Sequence, residues 1–396
     1  MTLVLPVIAG SIFLSEAAGA DVVIAEKAID KWMYHGRVNK LVLSPDGKRL
    51  YIGWNGAYVF DTEQLTFKEI PVQAANTNTG LQHPDGSPVR GHSNLALTPD
   101  GKRLYVYDYG ASAINVVDTQ TLTTPKVISI APLEEVTDFI VSQDGRKLFV
   151  AGSHHLGRIR SEANRTNKIL VVDTQADRIE RVLDIDKQSV VWFLAADDRP
   201  IIYGLVQGKP GGGPVVEQPD LVIDIDKGEI VRELYLPKPK VRVKDSMVRG
   251  GYFYSISFVD MTPGQSSENM LSIFSLKDGS KLQEIGLPRF SFQPSFVFED
   301  RWIYIMRKQS ILLVDVQNKK VVKDVDIYQP SLLQRLKGQK RPDYTEYMVL
   351  SKDGKRLYVA GLLFQKKWTP FFDVPPPPVK LVVTIVDAEK VRRDAE

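Results

Sequence analysis

The 396-residue chain has no cysteine, and that absence removes several chemistries at once. A disulfide framework, a thiol nucleophile, a thiolate metal site and covalent haem attachment are all excluded. Charge of one sign is also lacking: 51 Lys and Arg against 48 Asp and Glu leave a formal net charge of +3. Such a balance points to neither nucleic acid nor an anionic membrane surface. No Gly-x-Ser-x-Gly elbow occurs, so a hydrolase nucleophile of that kind is missing. The glycine-rich stretch Lys209-Pro-Gly-Gly-Gly-Pro214 has no phosphate-loop lysine and hydroxyl after it. What remains, 43% hydrophobic and 25% charged residues, is ordinary for a globular protein with a real core. Packing and strand pairing must hold that core together.

Long hydrophobic runs are scarce too. The one that stands apart is Leu3 to Leu14, interrupted by Pro6, Gly10 and Ser11 and followed by Ala18-Gly19-Ala20. A short apolar run with small residues at its end predicts a signal peptide over 1–20, with cleavage before Asp21. No Lys or Arg precedes the run, which departs from the usual pattern. The run is too short to cross a bilayer comfortably, so no stable membrane span is expected after cleavage. Residues 21–396 are then the mature chain.

That mature chain repeats itself. Leu43-Ser-Pro-Asp-Gly-Lys-Arg-Leu-Tyr51, Leu97-Thr-Pro-Asp-Gly-Lys-Arg-Leu-Tyr105, Val141-Ser-Gln-Asp-Gly-Arg-Lys-Leu-Phe149 and Leu350-Ser-Lys-Asp-Gly-Lys-Arg-Leu-Tyr358 are nearly one sentence. Each reads as strand, tight Asp-Gly turn, strand, with glycine supplying the positive φ of the turn. Weaker copies are Asp198-Arg-Pro-Ile-Ile-Tyr203, Arg249-Gly-Gly-Tyr-Phe-Tyr254 and Asp300-Arg-Trp-Ile-Tyr304. The turns at Gly47, Gly101, Gly145, Asp198, Gly250, Asp300 and Gly354 lie 44 to 54 residues apart.

A second landmark keeps step: Val59-Phe-Asp-Thr62, Val116-Val-Asp-Thr119, Val171-Val-Asp-Thr174, Val222-Ile-Asp224, Ile273-Phe-Ser275, Leu313-Val-Asp315 and Ile385-Val-Asp387. These read as third strands opening into a turn. Seven turns and seven third strands predict an all-β fold, a seven-bladed β-propeller of four-stranded antiparallel blades in a single domain.

The combined pattern resembles the YVTN family of bacterial β-propellers over most of residues 22 to 390. The resemblance implies a fold and an exported bacterial location, periplasmic, secreted or at the cell surface. Amine dehydrogenase large subunits are similar in layout. Only nine residues follow Asp387, and the segment Asp21-Val-Val-Ile-Ala-Glu-Lys27 has no blade of its own. We therefore expect it to be the outer strand of blade seven, closing the ring; a three-stranded sheet there would leave a long bare edge.

Loops carry function on rigid scaffolds, and the long loops map to one rim. They hold Trp32-Met-Tyr-His35, the segment from Gln82 to His92, Ser153-His-His155 with Arg158 and Arg160, and residues 209–213, 261–269 and 366–378. All five histidines fall there. No spacing among them matches a metal motif, and neither a cofactor nor a metal is expected; His35, His92, His154 and His155 are the candidates should one bind. Asp184-Ile-Asp186, Asp224-Ile-Asp226 and Asp324-Val-Asp326 are incomplete as calcium loops and are expected to be third-to-fourth-strand turns. Glu134-Glu135 reads as a solvated pair rather than an acid/base dyad.

Two insertions read as partner-binding surfaces: residues 361–378, with Trp368, Phe371 and Phe372 beside a polyproline run, and residues 328–344, with Arg335, Lys337, Lys340 and Arg341. The function expected is a scaffold binding protein or ligand through the loop-rich face, with no catalytic residue assignable. Two alternatives remain open at this stage. One is the non-catalytic large subunit of a quinoprotein amine dehydrogenase-like oxidoreductase; the other is a lactonase-like hydrolase.

Overall fold

The computed structural model describes residues 22–30, 38–72, 93–108, 113–155, 165–185, 190–196, 200–206, 220–235, 246–257, 269–288, 296–299, 301–307, 310–327, 344–364 and 379–393. They form seven four-stranded antiparallel sheets arranged as a ring, a seven-bladed β-propeller. In six blades the strands follow chain order from the inner to the outer edge. The seventh is built from Val23–Ala28, Val379–Asp387, Arg356–Phe364 and Tyr344–Leu350, so the N-terminal strand is its outer member. Lys27 pairs with Val383 and Ala28 with Val382. The expected closure of head onto tail is the one found. Beyond it, the last residues add a short helix, Ala388–Arg393. Its Arg392 meets Glu299 of blade six and donates to the Tyr304 hydroxyl at 3.0 Å, a polar tie between blades seven and six.

Each landmark of the repeat has a local cause. In blade one, Ser44 Oγ donates to Asp46 Oδ1 at 2.6 Å, the Lys48 amide donates to the same oxygen at 3.1 Å, and the Arg49 amide returns to Ser44 Oγ at 2.9 Å. The hydroxyl of Ser44, first of these causes, holds the Asp46 carboxyl below its usual pKa. Thr98/Asp100, Ser142/Asp144 and Ser351/Asp353 repeat the arrangement. The threonine after the third strand is explained as well. Thr62, Thr119 and Thr174 donate to the carbonyls of Gly47, Gly101 and Gly145 at 2.6 to 2.8 Å, tying the two turns of one blade together.

Burial follows the pleat. Successive strand residues face opposite sides of a sheet, so in each second strand one residue packs back and the next packs forward. Leu50 joins Tyr358 and Leu381 of blade seven, whereas Tyr51 joins Leu104 and Val117 of blade two. Tyr105 then packs with Leu148, and Phe149 with Ile202. The same relay runs Tyr203 to Phe253, Tyr254 to Ile303 and Tyr304 to Leu357. Seven apolar clusters lie at seven blade boundaries, each fed from both neighbours. No blade has a core to itself.

Two of the expected turns are strands. Asp184 ends the outer strand Arg178–Asp184, and Asp324 to Asp326 lie in the outer strand Lys320–Asp326. There they meet cationic strand residues, Asp184 its cross-strand partner Lys168 and Asp324 the side chain of Arg307. Asp224 does open a third-to-fourth-strand turn, accepting the Lys227 amide at 2.9 Å.

Neighbouring turns stack, and the glycines report it. A Cβ on Gly101 would come within 2.7 Å of the Pro45 ring of blade one, whereas a Cβ on Gly47 meets nothing within 4 Å; their φ values, +72° and +73°, are alike. Gly47→Ala should therefore cost only the left-handed backbone penalty, about 1–2 kcal/mol. Gly101→Ala should cost measurably more, because the proline must also move. Equal denaturant midpoints for the two variants would contradict the stacking of blade on blade.

Candidate functional site

The sequence candidates divide simply. His35, His92, Arg335, Lys337, Lys340, Arg341, Trp368, Phe371 and Phe372 lie outside the described residues. His154 and His155, expected in a loop, instead end the strand Lys147–His155 and pair with Thr166 and Arg165. The strand continues because its partner Arg165–Asp173 is equally long. Gly361 to Phe364, the start of one expected contact insertion, likewise belong to the second strand of blade seven. Among the described residues no cluster of three or more His, Asp or Glu is arranged to hold a metal ion.

At the axis, the inner strands expose one unpaired backbone edge, and polar side chains satisfy it. Asp138, in the inner strand of blade three, is fully buried. Its carboxylate accepts from Asn94 Nδ2 of blade two at 2.9 Å and from the Phe193 amide of blade four at 2.8 Å. Lys40 of blade one stands 3.8 Å away with its side chain 22% exposed. Thr137 adds a hydrogen bond to the Val190 carbonyl at 2.6 Å. Four consecutive blades are thus joined around one buried carboxylate. Its bonds are spent on neighbouring blades, and no nucleophile or second acid adjoins it among these contacts. The arrangement is a structural tie, costly to break from one side.

At the Asp-Gly rim a different series of contacts joins the blades. The first residue of each second strand is a cation in blades one to three. Arg49 donates to the Thr119 carbonyl of blade two, Arg103 to the Thr174 carbonyl of blade three, and Lys147 Nζ to the Asp226 carbonyl of blade four at 3.0 Å. In each case a cation reaches the third-to-fourth-strand turn of the next blade.

Blade four breaks the series. The equivalent residue is Ile201, paired with Asp224 as Arg49 is with Asp61. Aliphatic Ile201 cannot donate, and the corresponding carbonyl in blade five, that of Leu276, is reached from the outer strand instead. Arg232 donates to it at 2.7 Å. Blade five also replaces the long Asp-Gly turn by the two-residue turn Gly250-Gly251, both with positive φ.

A cleft of about 620 Å³ opens at this boundary, lined among others by Ile201, Val231, Arg232, Tyr252 and Lys277. Val231 is 45% exposed and Tyr252 44%, and Tyr235, 61% exposed, comes just after the outer strand of blade four. Tyr235 and Tyr252 are the only aromatics among the large exposed hydrophobics of the described residues.

The electrostatics are one-sided. Among the described residues no carboxylate pairs with Lys277 or Arg232. The nearest acid in sequence, Asp278, accepts from the Ser280 hydroxyl at 2.7 Å and the Ser280 amide at 3.0 Å. Those bonds, the hydroxyl's first, hold its carboxyl below the usual range. The cleft therefore offers apolar and aromatic surface beside two cations, a combination suited to recognition. Repeat alignment carried the signal for it: isoleucine and tyrosine stand at 201 and 252 where the strong copies have arginine or lysine.

No family model and no curated protein matches the chain. Solved structures do, as a fold. Hydrazine synthase of Kuenenia stuttgartiensis aligns at TM-score 0.57 and 17% identity, over 81% of this chain and 91% of that one. The Pan2 WD40 domain of Neurospora crassa aligns at TM-score 0.53 and 12% identity, over 88% and 89%. Dihydro-heme d1 dehydrogenase NirN, solved in complex with DHE, gives TM-score 0.49 and 16% identity over 83% and 61%. The first two share the propeller architecture with this chain.

Restoring the missing contact should close the cleft. In Ile201→Arg we expect the guanidinium to reach the blade-five turn, as Arg49 and Arg103 do in theirs. Amides of residues 276–279 should then exchange about fivefold more slowly, the effect of one hydrogen bond of about 1 kcal/mol. Unchanged exchange would mean that Ile201 is not the cause of the opening.

Proposed function

We propose that the chain is an exported bacterial binding scaffold of the YVTN-repeat kind. It holds a protein partner against the boundary between blades four and five. The observation that carries this reading is the cleft itself, with Tyr252, Val231 and two cations in reach of solvent. Rigid aromatics flanked by cations are typical anchors of interfaces, and a propeller supplies them with a stiff frame. The loop-rich opposite rim remains available for a second partner. Export is supported by the composition of residues 1–20.

Two measurements test this. Amino-terminal sequencing of the protein recovered from its native cell should begin at Asp21; an intact Met1 would exclude cleavage there. Affinity capture from the native cell envelope should retain a partner with wild-type protein and with Val182→Ala on the outer strand of blade three. It should lose that partner at least tenfold with Tyr252→Ala, a typical interface anchor effect. Equal recovery with both variants would remove the cleft from the function.

A further inference from the structure

The partner chemistry can be narrowed, on the premise that the chain is a binding scaffold. We infer that the cleft between blades four and five takes an extended polypeptide segment carrying an acidic side chain next to an aromatic or branched aliphatic one.

Three observations converge on this. The first is charge: Lys277 is exposed and Arg232 has spent its guanidinium on neutral carbonyls, so both lack a carboxylate counterpart among the described residues. A carboxylate arriving there would form charge-assisted hydrogen bonds, stronger than neutral ones. The second is the apolar surface, to which blade four contributes Ile201 and Val231 and blade five Tyr252. A side chain seated there would sit a few ångströms from the two cations.

The third observation favours a polypeptide over a small acid. Val231 and Arg232 lie on Glu229–Leu234, the strand that ends blade four's sheet and whose outer edge pairs with no other strand among the described residues. A free edge presents backbone donors and acceptors that only another extended chain can match along its length. The recognition groups are thus spread over two blades, from Ile201, Val231 and Arg232 to Tyr252 and Lys277, and not gathered at a point.

The test uses the intact protein. A phage-displayed library of random peptides is panned against it, with folded Tyr252→Ala protein as the counter-target. Enriched peptides should share an Asp or Glu within two residues of an aromatic or branched aliphatic residue. For a synthetic peptide of that kind, followed by fluorescence anisotropy, changing its acid to the amide should weaken binding about tenfold. Lys277→Gln should do the same, and the two changes together should cost little more than either alone. Lys277 is exposed, so its replacement leaves the fold intact, which circular dichroism checks.

Enriched peptides without an acid, an amide peptide that binds equally well, or no peptide that separates wild type from Tyr252→Ala would each overturn the inference. Partner capture that still depends on Tyr252 in any of these cases would leave the scaffold reading standing and remove only the acidic chemistry.

Discussion

Everything in this ring depends on side chains that belong to two blades at once. Two adjacent large apolar residues in each second strand, such as Leu50 and Tyr51, send one side chain back and one forward, and each buried side chain of this size is worth about 2 kcal/mol relative to exposure. A lone blade would leave both faces bare, so stability exists only once neighbours stack. The same dependence explains why the chain ends must meet. Without Val23–Ala28 on blade seven, the strand Val379–Asp387 would present an open edge at the place where the ring joins. Arg392, reaching from the terminal helix to Glu299 and Tyr304, adds a polar tie beside the apolar one.

Architecture was legible because its causes are local and repeated. An Asp-Gly turn needs a short acceptor and a residue free to adopt positive φ, so the same letters return wherever the turn returns. Third-strand valines and the terminal Asp-Thr are constrained as tightly, by packing on both sides and by the threonine that ties turn to turn. Even the closure followed from counting strands. Misreadings came where two-residue patterns have two outcomes: Asp-x-Asp ends an outer strand in blades three and six and opens a turn in blade four. Ser153 to His155 read as loop in the sequence because glycine and paired histidines weaken a strand signal, while the matching length of Arg165–Asp173 lies in another part of the chain.

The axial tie was not legible for a related reason. Lys40, Asn94 and Asp138 sit at unremarkable places in three different repeats, and only the ring brings them together. Side chains that meet across blades leave no spacing rule behind them. Their role is nonetheless what the fold requires, since the inner edge of every blade must satisfy its backbone away from a neighbouring sheet. A buried carboxylate with donors from two flanking blades and a cation from a third does that while fixing their relative positions.

A repeat protein can acquire a site by failing to repeat. In blades one to three a cation at the head of the second strand fastens the next blade's turn, and the seam is shut. Substituting isoleucine at that point removes a donor without adding bulk that could fill the gap. The cation is not lost from the boundary but displaced outward, to Arg232, where its guanidinium holds the Leu276 carbonyl from the solvent side. The seam therefore stays joined by Arg232 while a cleft opens beside it, lined by Ile201, Val222, Val231 and Tyr252. The two-residue glycine turn of blade five lies at the same boundary, with Gly250 and Gly251 lining the cleft beside Tyr252. Apolar side chains of two blades and a cation displaced to the outer strand thus come to line one cleft at this boundary.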